Sequence, residues 1–130
     1  MVYALMIFTA LGGIVSLAVD YGHVQLVKTE LQRAADAAAR AALTDLPSGV
    51  TTARNTAVTV AGTNTADSTA VALNTSSDIE FGTWDIPTRT FTVSAVGSEA
   101  SANAIRITAR SHGGPGECGF AVFRATRGDQ

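Results

Sequence analysis

The sequence predicts an α+β fold in which one long N-terminal helix, about residues 1–46, packs against a small antiparallel β-sheet head. Three observations support this fold class. The first 19 residues are apolar and uncharged, residues 20–46 keep helical spacing, and runs with strand-like alternation follow residue 70. We therefore divide the chain into an N-terminal hydrophobic and amphipathic helix, 1–46, and a β-rich globular head, 47–130.

The composition narrows the possible functions before any motif is considered. The chain has 130 residues, of which 46% are hydrophobic and 15% charged, and its formal net charge is −2. Ordinary globular chains are roughly 25% charged, and a slightly acidic chain offers no basic surface to a phosphate backbone. The single cysteine excludes an internal disulfide and a four-thiolate zinc site. We expect no nucleic-acid partner.

The helix begins with an uncharged segment, residues 1–19, which precedes all of the charged residues. As a helix this segment would span roughly 28 Å, close to the hydrocarbon thickness of a bilayer at about 30 Å. It is apolar all round, which suits lipid or the inside of a helix bundle. A cleavable signal peptide fits less well, because no basic residue precedes the apolar run and no small-residue cleavage site is obvious at its end.

The helix is predicted to continue through residues 20–46 as an amphipathic segment. Its apolar positions recur at steps of three and four residues. Glu30 with Arg33, and Asp36 with Arg40, have the spacing of supportive ion pairs on the solvent face. The apolar stripe consists of Val24, Val27, Leu31, Ala34, Ala35, Ala38, Ala42 and Leu46.

Small side chains dominate the second part of this helix. The run AADAAARAA, residues 34–42, has very high helix propensity. Its small side chains let another backbone approach closely, so we expect it to be packed rather than free. Pro47-Ser48-Gly49 then supplies a stop signal. The predicted helix has about 45 residues and is roughly 68 Å long.

The head is predicted to contain one short helix and several short strands. Residues 50–62 keep helical spacing, although their Thr and Val content favours strand, and we predict a helix. Residues 63–69 are expected to form a polar loop, and 112–119 a connector to a last strand or short helix at Phe120–Phe123. Trp84 and Phe81 are expected in the core. The strand candidates, expected to form an antiparallel meander with a turn at Asp85-Ile86-Pro87-Thr88, are Val71–Leu73, Ile79–Trp84, Thr90–Ala95 and Ala104–Arg110.

Residue patterns that carry chemistry are nearly absent from the sequence. His23 and His112 lack a partner at metal-ligand spacing. Cys118 has no second cysteine for redox chemistry, and an intersubunit disulfide is its remaining functional interpretation. Asn74-Thr75-Ser76 fits the N-glycosylation sequon, but in a bacterial protein this pattern is weak evidence of glycosylation. We expect a protein that is not an enzyme and that holds no cofactor and no metal.

Several segments of the chain resemble TadE/TadG-like proteins, which are pilin-like proteins of tight-adherence (Tad) pilus systems, a branch of the type IV pilus world. The resemblance covers about half of the sequence. One position departs from type IV pilins, which usually carry a glutamate at the fifth mature position, where this sequence has Leu5. The matching segments are AVDYG at 18–22, LVKTELQ at 26–32, AADAAA at 34–39, EFGTWD at 80–85 and NAIRIT at 103–108.

The resemblance implies a pilin-like fold and a structural role. We expect a subunit that polymerises through its N-terminal helix into an extracellular filament at the cell surface. Before assembly it would be inserted in the inner membrane, and its partners would be copies of itself and the pilus assembly machinery. The alternatives are a membrane-anchored assembly or accessory factor, and a surface adhesin that uses the Thr/Asn-rich loops at 62–78 and 97–103.

The candidate functional residues all lie on the N-terminal helix. Gly12 and Gly13 either permit a tight helix contact or are merely the glycines common in membrane helices. Asp20 is either a register charge, paired with Lys28 or Arg33 of a neighbouring subunit, or a solvated carboxylate at the membrane boundary. The predicted helix-core and oligomer-interface residues are Leu5, Phe8, Leu11, Gly12, Gly13, Ile14, Leu17, Asp20, Val24 and Leu31.

Overall fold

The computed structural model describes residues 2–110 and has an α+β architecture. A long helix, α1 (Val2–Asp45), leads through a 3-10 turn (Leu46–Ser48) into a second helix, α2 (Val50–Gly62). Two small antiparallel sheets of two and three strands follow. The predicted fold class, a long N-terminal helix with a small antiparallel β-sheet head, is confirmed.

Four predicted features lie outside the described residues. They are the connector at 112–119, the last element at Phe120–Phe123, and the side chains of His112 and Cys118.

The connection between the two helices depends on Gly49. Its φ of 118° lies in the left-handed half of conformational space, which L side chains rarely adopt. The Gly49 N–H donates to Leu46 O at 3.0 Å, and Gly49 O accepts from Ala53 N at 3.0 Å. Pro47 lies inside the 3-10 turn, as the predicted stop signal required.

Alanine side chains hold α1 and α2 together. Ala53, Ala57 and Ala61 recur at four-residue steps on α2 and are all 0% exposed. On α1 the predicted small-residue run is buried in the same core. Because a methyl group is the largest side chain on these faces, the two backbones can pack closely. The predicted helix at 50–62 is confirmed. The buried alanines of α1 are Ala34, Ala35, Ala38, Ala39 and Ala42.

A short hairpin replaces the polar loop predicted at 63–69. Strands β1 (Thr65–Ala66) and β2 (Thr69–Ala70) pair antiparallel through a two-residue turn. Asp67 and Ser68 have φ values of 52° and 62°, as a hairpin turn with two left-handed residues requires. The prediction was wrong because Ser68 occupies the second turn position, where a glycine usually signals such a turn.

The strand predicted at Val71–Leu73 is absent from the sheets of the described residues. Val71 and Leu73 are nevertheless buried, and the Val71 N–H donates to Asn64 O at 3.0 Å. The apolar alternation therefore arises because the side chains of Val71 and Leu73 both enter the core. The backbone N–H of Val71 forms its hydrogen bond with Asn64, which precedes β1, and not with a neighbouring strand.

The three-stranded sheet consists of β3 (Ile79–Asp85), β4 (Thr90–Val93) and β5 (Ala104–Ile107), in the order β4-β3-β5. The antiparallel pairing is confirmed, and so is the turn that joins β3 to β4. The meander order is wrong, because the connection 94–103 carries the chain past β3 to its other edge. β3 and β5 supply the buried side chains, so both lie over the helices and the mostly exposed β4 is left at the edge.

The inner face of this sheet completes the core. The four largest fully buried side chains come from β3 and β5, as their predicted alternation indicated. Phe81 is 1% exposed, which confirms its expected core position. Trp84 is only half-buried, because it lies on the outer face of the sheet opposite Phe91 of β4. The four core residues are Ile79, Phe81, Ile105 and Ile107.

Arg54 ties α2 to the sheet. Its guanidinium donates to the carbonyl oxygens of Thr75 and Ile79 and forms an ion pair with Glu99 at 2.8 Å. The same group lies over the Phe81 ring, 4.9 Å from its centroid. One half-buried arginine thus connects the second helix, the start of β3 and the connection between β4 and β5.

Candidate functional site

The N-terminal part of α1 projects beyond the head. Every residue from Val2 to Leu26 is exposed, whereas Leu31 is the first residue of the helix that the head buries. We call residues 2–26 the exposed helix segment. At 1.5 Å per residue it extends for about 38 Å. Apart from the contact of His23 with Asp67, the other residues of 2–110 leave this segment uncovered.

The exposed helix segment is covered with large apolar side chains. Each of them is at least 52% exposed. A monomeric soluble protein rarely exposes a contiguous apolar patch larger than a few hundred Å², so this surface requires lipid or another protein. The side chains are Val2, Tyr3, Leu5, Met6, Ile7, Phe8, Leu11, Ile14, Val15, Leu17, Val19, Tyr21, Val24 and Leu26.

By length and composition, α1 could cross a membrane. An 18-residue apolar window of this helix is 0% buried by the described residues, unlike the core helix of a soluble protein. The apolar side chains point in all directions: Met6, Ile7 and Phe8 are consecutive, and successive helical residues are about 100° apart. A partner that buries the apolar side chains of this segment must therefore surround the helix.

Two features of the segment suit a dry environment. The Thr9 hydroxyl donates to Leu5 O at 2.8 Å, so it needs no water. Gly12, Gly13 and Gly22 leave open space where a Cβ would point: beyond the adjoining turns of the helix itself, no atom of residues 2–110 lies within 4 Å of that position. Small residues of this kind let a second helix approach closely.

The head first contacts α1 at His23. The tip of the β1–β2 hairpin places Asp67 Oδ1 3.3 Å from His23 Nε2, and the Asp67 N–H donates to Glu30 Oε2 at 3.0 Å. Glu30 thus accepts a hydrogen bond from the hairpin tip and forms no ion pair with Arg33, although the spacing of the two residues predicts one. Asp20 lies three residues before this junction. It is exposed and has no ion pair among residues 2–110.

The structure separates the ten predicted interface residues into two groups. Leu31 is only 3% exposed and belongs to the chain's own core, because the head covers that turn of α1. Sequence reasoning also left out exposed apolar residues such as Met6 and Val15, which uniform hydropathy could have identified. The nine predicted residues on the exposed helix segment are Leu5, Phe8, Leu11, Gly12, Gly13, Ile14, Leu17, Asp20 and Val24.

The titratable side chains of the described region do not assemble into a metal site. Within residues 2–110, no group of three or more His, Cys, Asp or Glu side chains is placed to hold an ion. The chemically distinctive surface of this part of the chain is therefore the exposed helix segment.

Comparisons with known proteins agree with this emphasis on the N-terminal half. A family model described as Flp pilus-assembly, TadE/G-like, matches residues 1–72. The match includes both helices and the β1–β2 hairpin, and it covers more than half of the 130 residues. No curated protein and no solved structure matches the chain.

Proposed function

Because this chain belongs to the TadE/G-like family of Flp pilus-assembly proteins, we propose that it is a pilin-like structural subunit of an extracellular filament. In this proposal the exposed helix segment packs against the same segment of other copies, and the heads lie outside. The observation that carries the proposal is that residues 2–26 are exposed and apolar on all sides.

The energetics allow one segment to occupy two environments in turn. Eleven large apolar side chains lie between Val2 and Val19, and burying each is worth roughly 1.5–3 kcal/mol. Lipid and a helix bundle both supply this burial, so a subunit could wait in the inner membrane and move into a filament with little net hydrophobic change. The choice between the two environments then depends on packing and polar contacts.

The shape of the molecule supports an open assembly. The exposed helix segment is at one end and the head at the other, so copies packed in parallel and displaced along the helix axis would meet through different parts of the same segment. The two sides of each contact would then be non-identical. Contacts of this kind generate a helical filament whenever the rotation does not close into a ring.

A second candidate function is that of a membrane-anchored assembly factor. The description of the family, pilus assembly, favours it, and so does the membrane-spanning length of α1. In this case the exposed helix segment would remain in lipid, and the head would bind other pilus components.

The location of the wild-type chain distinguishes the two functions, and substitution of Gly13 tests the helix packing that the filament requires. Gly13→Leu makes the segment more apolar and has no neighbour to displace among residues 2–110, so membrane insertion and folding of the head should persist. A close helix–helix contact would be blocked by the added side chain. We expect the full-length variant, produced in pilus-forming cells, to be depleted about tenfold or more from the sheared filament fraction and retained in the membrane fraction.

Gly62→Leu is the matched control, because Gly62 is also helical with no atom of another residue near its Cβ direction, but it lies in the head. It should shear with the filaments like the wild-type chain. Normal shearing of Gly13→Leu would contradict close packing at this point of the helix. If the wild-type chain never enters the sheared fraction and stays in the membrane, the anchored assembly factor is the correct function.

A further inference from the structure

Three charges on α1 alternate in sign at a constant spacing. Asp20, Lys28 and Asp36 are each eight residues apart. Eight helical residues correspond to about 12 Å along the axis and about 80° around it. The three side chains therefore follow one broad side of the helix in the order negative, positive, negative.

These three charges and the exposed Arg33 have no ion pair within the part of the chain that the structure describes, while two other polar positions of α1 do contact the head. Asp20 and Lys28 are exposed and Asp36 is half-buried. His23 and Glu30, by contrast, both contact the hairpin tip. The ion pairs found within residues 2–110 are His23–Asp67, Arg54–Glu99, Arg106–Glu80 and Arg110–Asp78.

We infer that Asp20, Lys28 and Asp36 set the register between neighbouring copies of this chain. When two parallel α1 helices are displaced by eight residues, Asp20 of one copy is level with Lys28 of the next. The same displacement brings Lys28 of the first copy level with Asp36 of the next. This inference rests on the proposed filament function and assigns its subunits an axial step of about 12 Å.

Other displacements match the charges less well. With no displacement, each of the three residues meets its own like charge, and a displacement of ten residues sets Asp20 against Glu30. A displacement of thirteen brings Asp20 level with Arg33 but leaves Lys28 opposite an alanine. It also brings Ala18, in the uncharged segment 1–19, level with Leu31 of the neighbouring copy, which that copy's own head already buries.

The charges matter because neighbouring helices exclude water from them. Asp20 adjoins the apolar segment, so a copy packed beside it would partly desolvate its carboxylate. An ion pair roughly offsets the desolvation of its members, whereas an unpaired or like-charged neighbour is strongly unfavourable. Charge pairs of this kind select the register more than they add affinity, which the apolar surface already supplies.

Charge inversion tests the inferred pairing in the full-length chain expressed in pilus-forming cells. Lys28→Glu places three negative charges in a row, and we expect it to reduce the chain in the sheared filament fraction about tenfold. Inverting all three charges, with Asp20→Lys, Lys28→Glu and Asp36→Lys together, restores the alternation. We expect this triple variant to recover to within about threefold of wild type, and the control Lys28→Arg to be unaffected.

Cross-linking measures the displacement itself and leaves the three charges in place. Tyr21→Cys with Thr29→Cys introduces exposed thiols eight residues apart. Tyr21→Cys with Gln25→Cys is the control at a spacing of four, and both pairs are made with Cys118→Ser. Mild oxidation of sheared filaments should produce a ladder of covalent multimers from the first pair and at least fivefold less from the second.

The outcomes separate the register from the proposed function. Filaments that contain the chain but cross-link through the control pair, or tolerate Lys28→Glu, would overturn the register and leave the filament function intact. Absence of the wild-type chain from sheared filaments, with no ladder from either pair, would overturn the filament function and the register with it.

Discussion

Gly82 shows how one missing side chain shapes the head. It lies in β3, opposite Val93 of β4, and is buried. A Cβ at this position would collide with the Thr92 carbonyl oxygen and lie 2.6 Å from Phe91 Cζ. The Phe91 ring therefore covers the backbone of β3 because residue 82 has no side chain.

The Phe91 ring in turn supports a charge pair on the outer face of the sheet. The Arg106 guanidinium lies 5.0 Å from the centroid of the ring and forms an ion pair with Glu80. Glu80 and Arg106 are also directly opposed in the β3–β5 register. The three strands are thus linked across this face by contacts that depend on the position of Phe91.

We expect Gly82→Ala to lower the free energy of unfolding by about 2–4 kcal/mol, because the methyl group must displace both the Phe91 ring and the β4 backbone. The measurement is chemical denaturation of the full-length chain in detergent micelles, followed by the fluorescence of Trp84. Gly62→Ala is the control and should change stability by no more than about 1 kcal/mol, with a gain expected from helix propensity. Equal effects of the two variants would contradict the close approach.

At the scale of elements, the joint between α1 and α2 depends on small side chains. Ala57 is central among the three buried alanines of α2, with one buried alanine a turn before it and one a turn after. The facing stretch of α1 is nearly all alanine. A joint of this type leaves little volume to absorb a larger group, since protein interiors are close-packed.

We expect Ala57→Leu to destabilise the head by about 1–3 kcal/mol through overpacking between the two helices. Thr59→Leu adds a similar volume to the same helix at an exposed position and should change stability by about 0.5 kcal/mol or less. Thermal unfolding of both full-length variants in micelles checks the comparison. A Thr59→Leu variant that lost as much stability as Ala57→Leu would contradict overpacking at the joint, because leucine is a better helix former than threonine and position 59 is exposed.

At the scale of the whole molecule, the two parts of α1 have different roles. Its first 25 described residues face the surroundings, and its last part forms one wall of the head's core. The division falls where the hairpin tip meets His23 and Glu30. Changes in the exposed helix segment should therefore alter what the molecule binds without altering how the head folds.

We expect Leu11→Lys to weaken the insertion of α1 into membranes, because a lysine at the centre of a spanning helix costs about 2.5–3.5 kcal/mol of insertion free energy. The check is resistance to alkaline carbonate extraction, which should fall strongly for this variant and stay unchanged for the control Leu11→Met. Unfolding of the head in micelles should match the wild type. Full carbonate resistance of Leu11→Lys would argue against a membrane-spanning role for the segment.

The local spacing of apolar residues was sufficient to predict most of the secondary structure of this protein. The two helices, the β3 and β5 alternation, and the uncharged segment before Asp20 follow from spacing and composition. These features depend on residues a few positions apart, so they can be predicted without knowing the fold. The resemblance to the Tad family also rests on local sequence, and the family match confirms it.

Only the tertiary structure decided which elements meet. The strand order β4-β3-β5, the irregular backbone at Val71–Leu73 and the burial of Leu31 in the chain's own core were not predictable from spacing. An apolar stripe shows that a face must be buried, but the surface that buries it can be another part of the same chain, lipid or a second copy. That choice depends on contacts between residues far apart in sequence, and the path of the chain through the head determines them.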